Sequence, residues 1–195
     1  MYTLFISTFD KYIHIGLLKD DKLVDLIKKE SLKSHSVYTM PAIKEILENN
    51  KITVKDLDQI EVINGPGSFT GVRIGVTIAK TLAYALNIPI KAITTLEAYA
   101  ASLNITKNTI ITMMDLKGVY YGNFDKNLNL IEPLNYLNKK EFDNYIKENN
   151  LEDLIYNEQL ELDIEKIHER INKKESINPH HVNPLYIKKI EAEKW

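Results

Sequence analysis

The chain has 195 residues, with 25 Lys and Arg against 27 Asp and Glu, and its formal charge of −2 excludes strong global attraction to nucleic acid or an anionic membrane. Hydrophobic residues make up 44% and charged residues 27%, which excludes disorder for the bulk and lets a chain of this length bury most of its core-forming side chains. Cysteine is absent, so disulfides, thiolate metal sites and a cysteine nucleophile are excluded, and a reducing cytoplasm is the expected location.

The start, MYTLFISTFD, lacks a basic n-region and a long apolar stretch, so the mature chain is expected to begin here. No uncharged run reaches the roughly 18 to 20 residues of a membrane helix. Tyr2 to Ser7, Tyr12 to Leu18 and Lys22 to Lys29 are β-rich runs broken by Phe9-Asp10-Lys11 and Lys19-Asp20-Asp21, which predicts three antiparallel strands. From His35 to Asn50, Val37, Met40, Ile43, Ile46 and Leu47 recur at helical spacing, with Pro41 tolerated in the first turns. Thr53 to Asp56 reads as a short capped turn, Gln59 to Ile63 as a strand, Phe69 to Leu86 as the strongest helix, and Pro89 to Ile93 as a strand. Thr94-Thr95-Leu96-Glu97 has capping-box spacing and predicts a helix through Leu103.

The second half repeats this order more loosely: a hairpin of Thr109 to Met114 and Val119 to Phe124 around Asp115-Leu116-Lys117-Gly118, a helix over Lys139 to Asn149, and a charged stretch from Glu158 to Ile171 with Leu160, Ile164 and Ile167 on one side. These elements predict a mixed-sheet α/β fold of two lobes, residues 1–105 and a smaller 106–195.

Four of the seven glycines, Gly65, Gly67, Gly71 and Gly75, fall within one strand-to-helix segment, Asn64-Gly-Pro-Gly-Ser-Phe-Thr-Gly-Val-Arg-Ile-Gly75. Ser68 or Thr70 can cap the helix, and such a loop can hold an anion. No Lys follows Gly71, so the Walker spacing fails, and the dinucleotide spacing fails as well. Residues 71–86 are apolar or small around most of the circumference, with Arg73, Thr77, Lys80 and Tyr84 as the polar stripe. Either the second lobe or another chain is expected to cover the remaining side, and Gly71, Gly75, Ala79 and Ala83 are small enough to admit a second helix. Arg73 either pins the glycine loop through a salt bridge or carbonyl, or reaches a partner or ligand.

Gly65-Pro-Gly-Ser-Phe-Thr-Gly-Val-Arg-Ile-Gly75, with Leu86-Asn-Ile-Pro-Ile90 and Thr94-Thr-Leu-Glu-Ala98 after it, closely resembles the signature of the TsaB (YeaZ) family. Weaker likenesses extend over the opening hairpin, His35-Ser36, Asp115 to Asp125 and Pro184-Leu-Tyr-Ile-Lys188. The resemblance implies an actin-like (sugar-kinase-like) fold with an abbreviated second lobe. It also implies a non-catalytic role in placing threonylcarbamoyl on the adenosine beside the anticodon of ANN-decoding tRNAs. The implied partners are a TsaD-like subunit that holds any ATP and metal, a TsaE-like ATPase, and, without TsaD, a second copy of the chain; tRNA is met indirectly. The implied interface comprises Met40, Ile43 and Leu47 of one helix with Gly71, Val72, Gly75, Val76, Ala79, Leu82, Ala83 and Leu86 of the other. Gly65, Gly67, Ser68, Phe69, Thr70 and Arg73 make the adjoining loop.

Asp10 and Asp115 are the two carboxylates of a vestigial nucleotide site, or else ordinary turn residues. Ser7 stands where the family often has Asp. The alternative function is an independent actin-like ATPase or small-molecule kinase using that pair. No metal site is expected, since His14, His35, His168, His180 and His181 show no ligand spacing. Lys188, Lys189 and Lys194, flanked by Glu191 and Glu193, read as a solvated face or a direct RNA contact.

Overall fold

The computed structural model describes residues 1–31, 34–103, 105–151, 155–156 (backbone alone) and 161–188. The sequence expectations for Leu160, Lys189, Ile190, Glu191, Glu193 and Lys194 fall outside the described residues.

Strands β1 (Tyr2–Ser7), β2 (Tyr12–Lys19) and β3 (Lys22–Glu30) form an antiparallel meander, and β4 (Gln59–Ile63) and β5 (Ile90–Ile93) join β1 in parallel, giving the order β3-β2-β1-β4-β5. β4 is buried along its whole length and β1 along nearly all of it, because helices cover both faces of the sheet. On one face lie α1 (His35–Asn49) and α2 (Phe69–Leu86). On the other lie α3 (Thr95–Ser102) and, after α4 (Lys139–Glu148) in the second lobe, α5 (Ile164–Asn172). Gly16 of β2 lets α5 come close, since a Cβ there would stand 3.3 Å from Ile164 Cγ2.

The second sheet contains β6 (Thr109–Met114), β7 (Gly118–Phe124), β8 (Asn135–Asn138) and β9 (Ile155–Tyr156) in the order β8-β7-β6-β9, with β9 parallel to β6. Its core is small: Ile110, Val119 and Tyr121 against Phe142 and Ile146 of α4. α3 sits between the sheets and packs Leu96 and Ala100 on Ile111 and Phe124. Sequence reading finds neither β8, an Asn-flanked tetrapeptide, nor β9, of two residues, because neither is long enough to establish a period.

One sequence expectation is corrected by the packing. The division at residue 105/106 does not follow the cores: Ile164, Ile167, Ile171 and Val182 are buried with the first sheet, so the chain leaves the first lobe and returns to it. Within the charged stretch, α5 begins at Ile164, where the Asp163 side chain accepts from Lys166 N (3.2 Å). Beyond α5 the chain runs back as a strap over the first lobe. Ile177 N donates to Ile90 O, Lys80 Nζ reaches Val182 O (3.0 Å), and Leu185 N donates to Asn64 O (2.7 Å).

Candidate functional site

β4 ends in the Asn64–Ser68 loop, whose shape comes from Gly65 at φ +106°, a conformation an L side chain rarely adopts. The loop's backbone is bonded within the chain on three sides. Ser68 N donates to Phe9 O of the β1–β2 turn (2.7 Å), Thr95 N of α3 to Gly65 O (2.8 Å), and Leu185 N of the strap to Asn64 O. Of the two capping candidates, Ser68 caps α2, its Oγ accepting from Gly71 N (3.2 Å).

The small residues of α2 face inward. Gly71, Val72, Gly75, Val76, Ala79 and Ala83 are all buried. A Cβ on Gly71 would stand 2.1 Å from Thr8 O and one on Gly75 2.3 Å from Thr8 Oγ1, while Thr8 Oγ1 donates to Gly71 O (2.7 Å). Ile43 and Leu47 of α1 are buried as well, and Leu82 and Leu86 are half-buried against the same core. The implied interface residues are therefore corrected: except for Met40, they are buried or half-buried in the chain's own core. At Gly71 and Gly75 the row suited to a second helix from outside is instead filled by Thr8 of the β1–β2 turn.

What α1 and α2 leave to solvent is a different set. Val37 (62% exposed), Met40 (46%) and Phe69 (48%) stand out, and a groove of about 490 Å³ runs between the helices along Ser36, Met40, Phe69, Thr70, Arg73, Ile74, Thr77 and Ile78. Arg73 forms no ion pair among the described residues, which corrects the salt-bridge reading. Its guanidinium lies over the Phe69 ring at 5.1 Å, and Phe69 in turn packs on Tyr186 of the strap at 5.2 Å. Of the expected polar stripe, Arg73, Thr77 and Tyr84 are exposed, whereas Lys80 is held by the strap.

Asp10 and Asp115 do come to one place. Both line a cleft of about 550 Å³ between the lobes, with Gly67, Ser68, Phe69, Tyr120, Tyr186 and Lys188 around it. Each carboxylate already has protein partners. Asp10 Oδ1 accepts from Tyr12 N (2.8 Å), and Asp115 Oδ2 accepts from Lys188 Nζ (3.0 Å) and Tyr136 OH (3.3 Å). Burial acts to raise the Asp115 pKa, but Lys188, the Leu116 N–H and Tyr136 outweigh it and hold the carboxyl below its usual range. Lys188 is accordingly an ion-pair partner at the cleft rather than part of a free terminal lysine face. Ser7 does not line the cleft; it is fully buried, with its Oγ unbonded among the described residues.

Among the described residues no group of three or more His, Asp or Glu could hold a metal ion, and no helix is long and apolar enough to cross a membrane. His180 and His181 lie in a short 3-10 turn, where His180 packs on Tyr84 at 5.0 Å.

Sequence reading missed a buried polar cluster at His168. The ring sits between Glu61 of β4 and Asp21 of the β2–β3 turn, with Nδ1 2.9 Å from Glu61 Oε1 and Nε2 2.9 Å from Asp21 Oδ1. Its one signal was Glu61, a lone acid in the otherwise apolar run Ile60 to Ile63.

Comparison with known proteins places this geometry. A profile of the family described as "TsaD: tRNA N6-adenosine threonylcarbamoyltransferase" matches residues 28–177. The tRNA threonylcarbamoyladenosine biosynthesis protein TsaB of Bacillus subtilis is 40% identical over 134 residues, covering 68% of this chain and 58% of the relative. TsaB of Buchnera aphidicola from Schizaphis graminum is 37% identical over 114 residues, 56% of this chain and 54% of the relative, so the match spans little more than half of these relatives. The solved structure of YeaZ from Pseudomonas aeruginosa superposes with a TM-score of 0.78 over 95% of this chain and all of that one, at 17% identity. The fold is thus the actin-like α/β fold expected from the sequence.

Proposed function

Because this chain belongs to the TsaD family, on the branch whose members are named TsaB, we propose that it serves in forming threonylcarbamoyladenosine in tRNA as a non-catalytic subunit. In this reading it pairs with a TsaD-like protein that carries any ATP and metal, a TsaE-like ATPase joins the pair, and tRNA is met only through the assembly. Without the partner, two copies pair through the same surface. The cytoplasm is the location this role calls for.

The observation that carries the proposal is the exposed α1–α2 groove, where Met40, Phe69 and Ile74 lie beside Arg73, the one cation among the described residues that line it. An apolar centre with an arginine and an aromatic is the composition of a protein-binding hot spot. The state of Asp10 and Asp115 supports the non-catalytic half, since both are already bonded within the chain.

The test is light scattering of the full chain mixed with the TsaD-like protein of the same organism, with and without ATP. A one-to-one complex that the Met40→Lys, Thr77→Glu double variant fails to form is the expected result. Two species that stay separate under both conditions overturn the pairing, and ATP turnover by the isolated chain that Asp115→Ala abolishes replaces it with an independent ATPase.

A further inference from the structure

His168 lies on the opposite side of the first sheet from the α1–α2 groove, on α5, and its side chain is fully buried. Three groups compete for its two nitrogens. Nδ1 faces Glu61 Oε1 at 2.9 Å, and Nε2 faces both Asp21 Oδ1 and Asn172 Nδ2 at 2.9 Å. The Asn172 amide is oriented by a relay: Gln59 Nε2 donates to Glu61 Oε1 (2.8 Å) and presents the same donor to Asn172 Oδ1 (3.4 Å), which turns the Asn172 NH2 towards the ring.

An imidazole nitrogen is either a donor or an acceptor, so Nε2 cannot satisfy both neighbours at once. When protonated, it donates to Asp21 and meets the Asn172 NH2 donor against donor. When unprotonated, it accepts from Asn172, and the Asp21 carboxylate keeps only the longer approach of Asn172 Nδ2 at 3.4 Å. Asp21 can leave at little cost, because its side chain is 65% exposed and it sits in the β2–β3 turn at φ +65°. Glu61 is fully buried and has no such freedom.

We propose that Asp21, His168 and Asn172 form a protonation latch: the charged ring holds the β2–β3 turn against α5, and the neutral ring releases the turn and takes the Asn172 amide instead. Other charged groups on the neighbouring elements do not substitute for Asp21. Lys91 of β5 lies near enough to act on Glu61, and its Nζ donates to Asn172 O (3.3 Å). Glu165 of α5 accepts from Leu23 N and lies 3.8 Å from Lys22 Nζ, and Glu97 of α3 faces Arg170 and Lys174. Burial draws the His168 pKa down, but the hydrogen bonds and charges of Glu61 and Asp21 outweigh it and set the ring above its ordinary 6.5. The latch therefore opens on the alkaline side of the ring's ordinary 6.5.

The experiment is a pH titration of the full chain by NMR, following the His168 ring nitrogens and the amides of Asp21, Lys22 and Leu23 together. The expected result is a single midpoint above 6.5 shared by ring and turn, with Nε2 losing its proton and Nδ1 keeping it. Asp21→Asn, at an exposed position that leaves the fold intact, is expected to lower the His168 midpoint and to abolish the matching transition in the turn. A ring that stays in one protonation state from pH 5 to 9, loss of the Nδ1 proton instead, or turn amides that do not follow the ring overturns the latch.

Discussion

Thr8 fixes how far Gly71 and Gly75 of the signature segment are structural. Its carbonyl would lie 2.1 Å from a Cβ on Gly71, and a backbone oxygen in a buried turn cannot move aside without distorting β1. Gly75 meets instead Thr8 Oγ1 at 2.3 Å, the end of a side chain that can rotate if it gives up its bond to Gly71 O. Gly75→Ala also gains about 1 kcal/mol of helix propensity, offsetting a lost hydrogen bond of about 1 kcal/mol. Gly71→Ala is therefore expected to cost about 2–3 kcal/mol and Gly75→Ala under about 1, read as urea midpoints at unchanged slope. Equal losses at the two positions would show that α2 moves away from Thr8 as a body. The glycine cluster was legible in the sequence as a feature needing a cause. The cause was not legible, because Thr8 is 63 residues away from Gly71 and an ordinary strand-end threonine by composition.

At the scale of elements, the strands of the first sheet, the β6–β7 hairpin and helices α1 to α4 lie within a residue or so of their predicted bounds, and α2 matches residue for residue. What the pattern could not assign was the orientation of α2. Val72 and Val76 point into the core while Ile74 and Ile78 line the groove, and on a helix apolar nearly all round the two pairs are equivalent until the β1–β2 turn is placed. The strap was equally hidden, since its backbone bonds from Ile177 N to Ile90 O and from Leu185 N to Asn64 O are ones that no side-chain pattern announces. This orientation decides which substitutions test the proposed pairing. Ala79→Glu would bury an unpaired charge and unfold the chain, and so would say nothing about a partner. Met40→Lys with Thr77→Glu changes surface positions, and is expected to move stability by no more than about 0.5 kcal/mol while weakening partner binding at least about tenfold. Calorimetric titration checks the second figure and thermal melting the first.

The whole molecule is joined by α3 and α5, and one carboxylate ties them to the second lobe. Glu97 accepts from Arg170 Nε (2.8 Å) and Lys174 Nζ, and Arg170 in turn donates to Leu128 O beyond β7 (2.9 Å). Glu97 is thus drawn away from the reciprocal capping bond that its spacing from Thr94 predicts, although Thr94 Oγ1 still accepts from Glu97 N (3.2 Å). Removing it leaves two half-buried cations without a counter-charge, and Glu97→Ala is expected to cost about 3 kcal/mol in denaturant unfolding.

The pH response of the whole fold follows from the proton inventory. His168 and Glu61 both hold protons more tightly in the folded chain than their ordinary 6.5 and 4.5, Glu61 through burial and His168 through its carboxylate neighbours. Groups raised in this way contribute stability that is complete below the unfolded pKa and lost as pH rises through the folded one, since the folded state then binds more protons than the unfolded. Asp20, Asp56, Asp125 and Glu161 are lowered by hydrogen bonds, and their contribution is instead lost on the acid side, as pH falls through their folded values. Those four carboxylates lie at the surface and are screened by solvent, whereas His168 and Glu61 are buried, so the alkaline limb is expected to be the steeper. Unfolding free energy measured from pH 2 to 9 should fall as pH rises past 6.5 with a slope of up to about 1.4 kcal/mol per pH unit for one linked proton. His168→Gln should flatten that limb and leave the acid limb unchanged, whereas an alkaline limb that survives the substitution would assign the linked proton to another group.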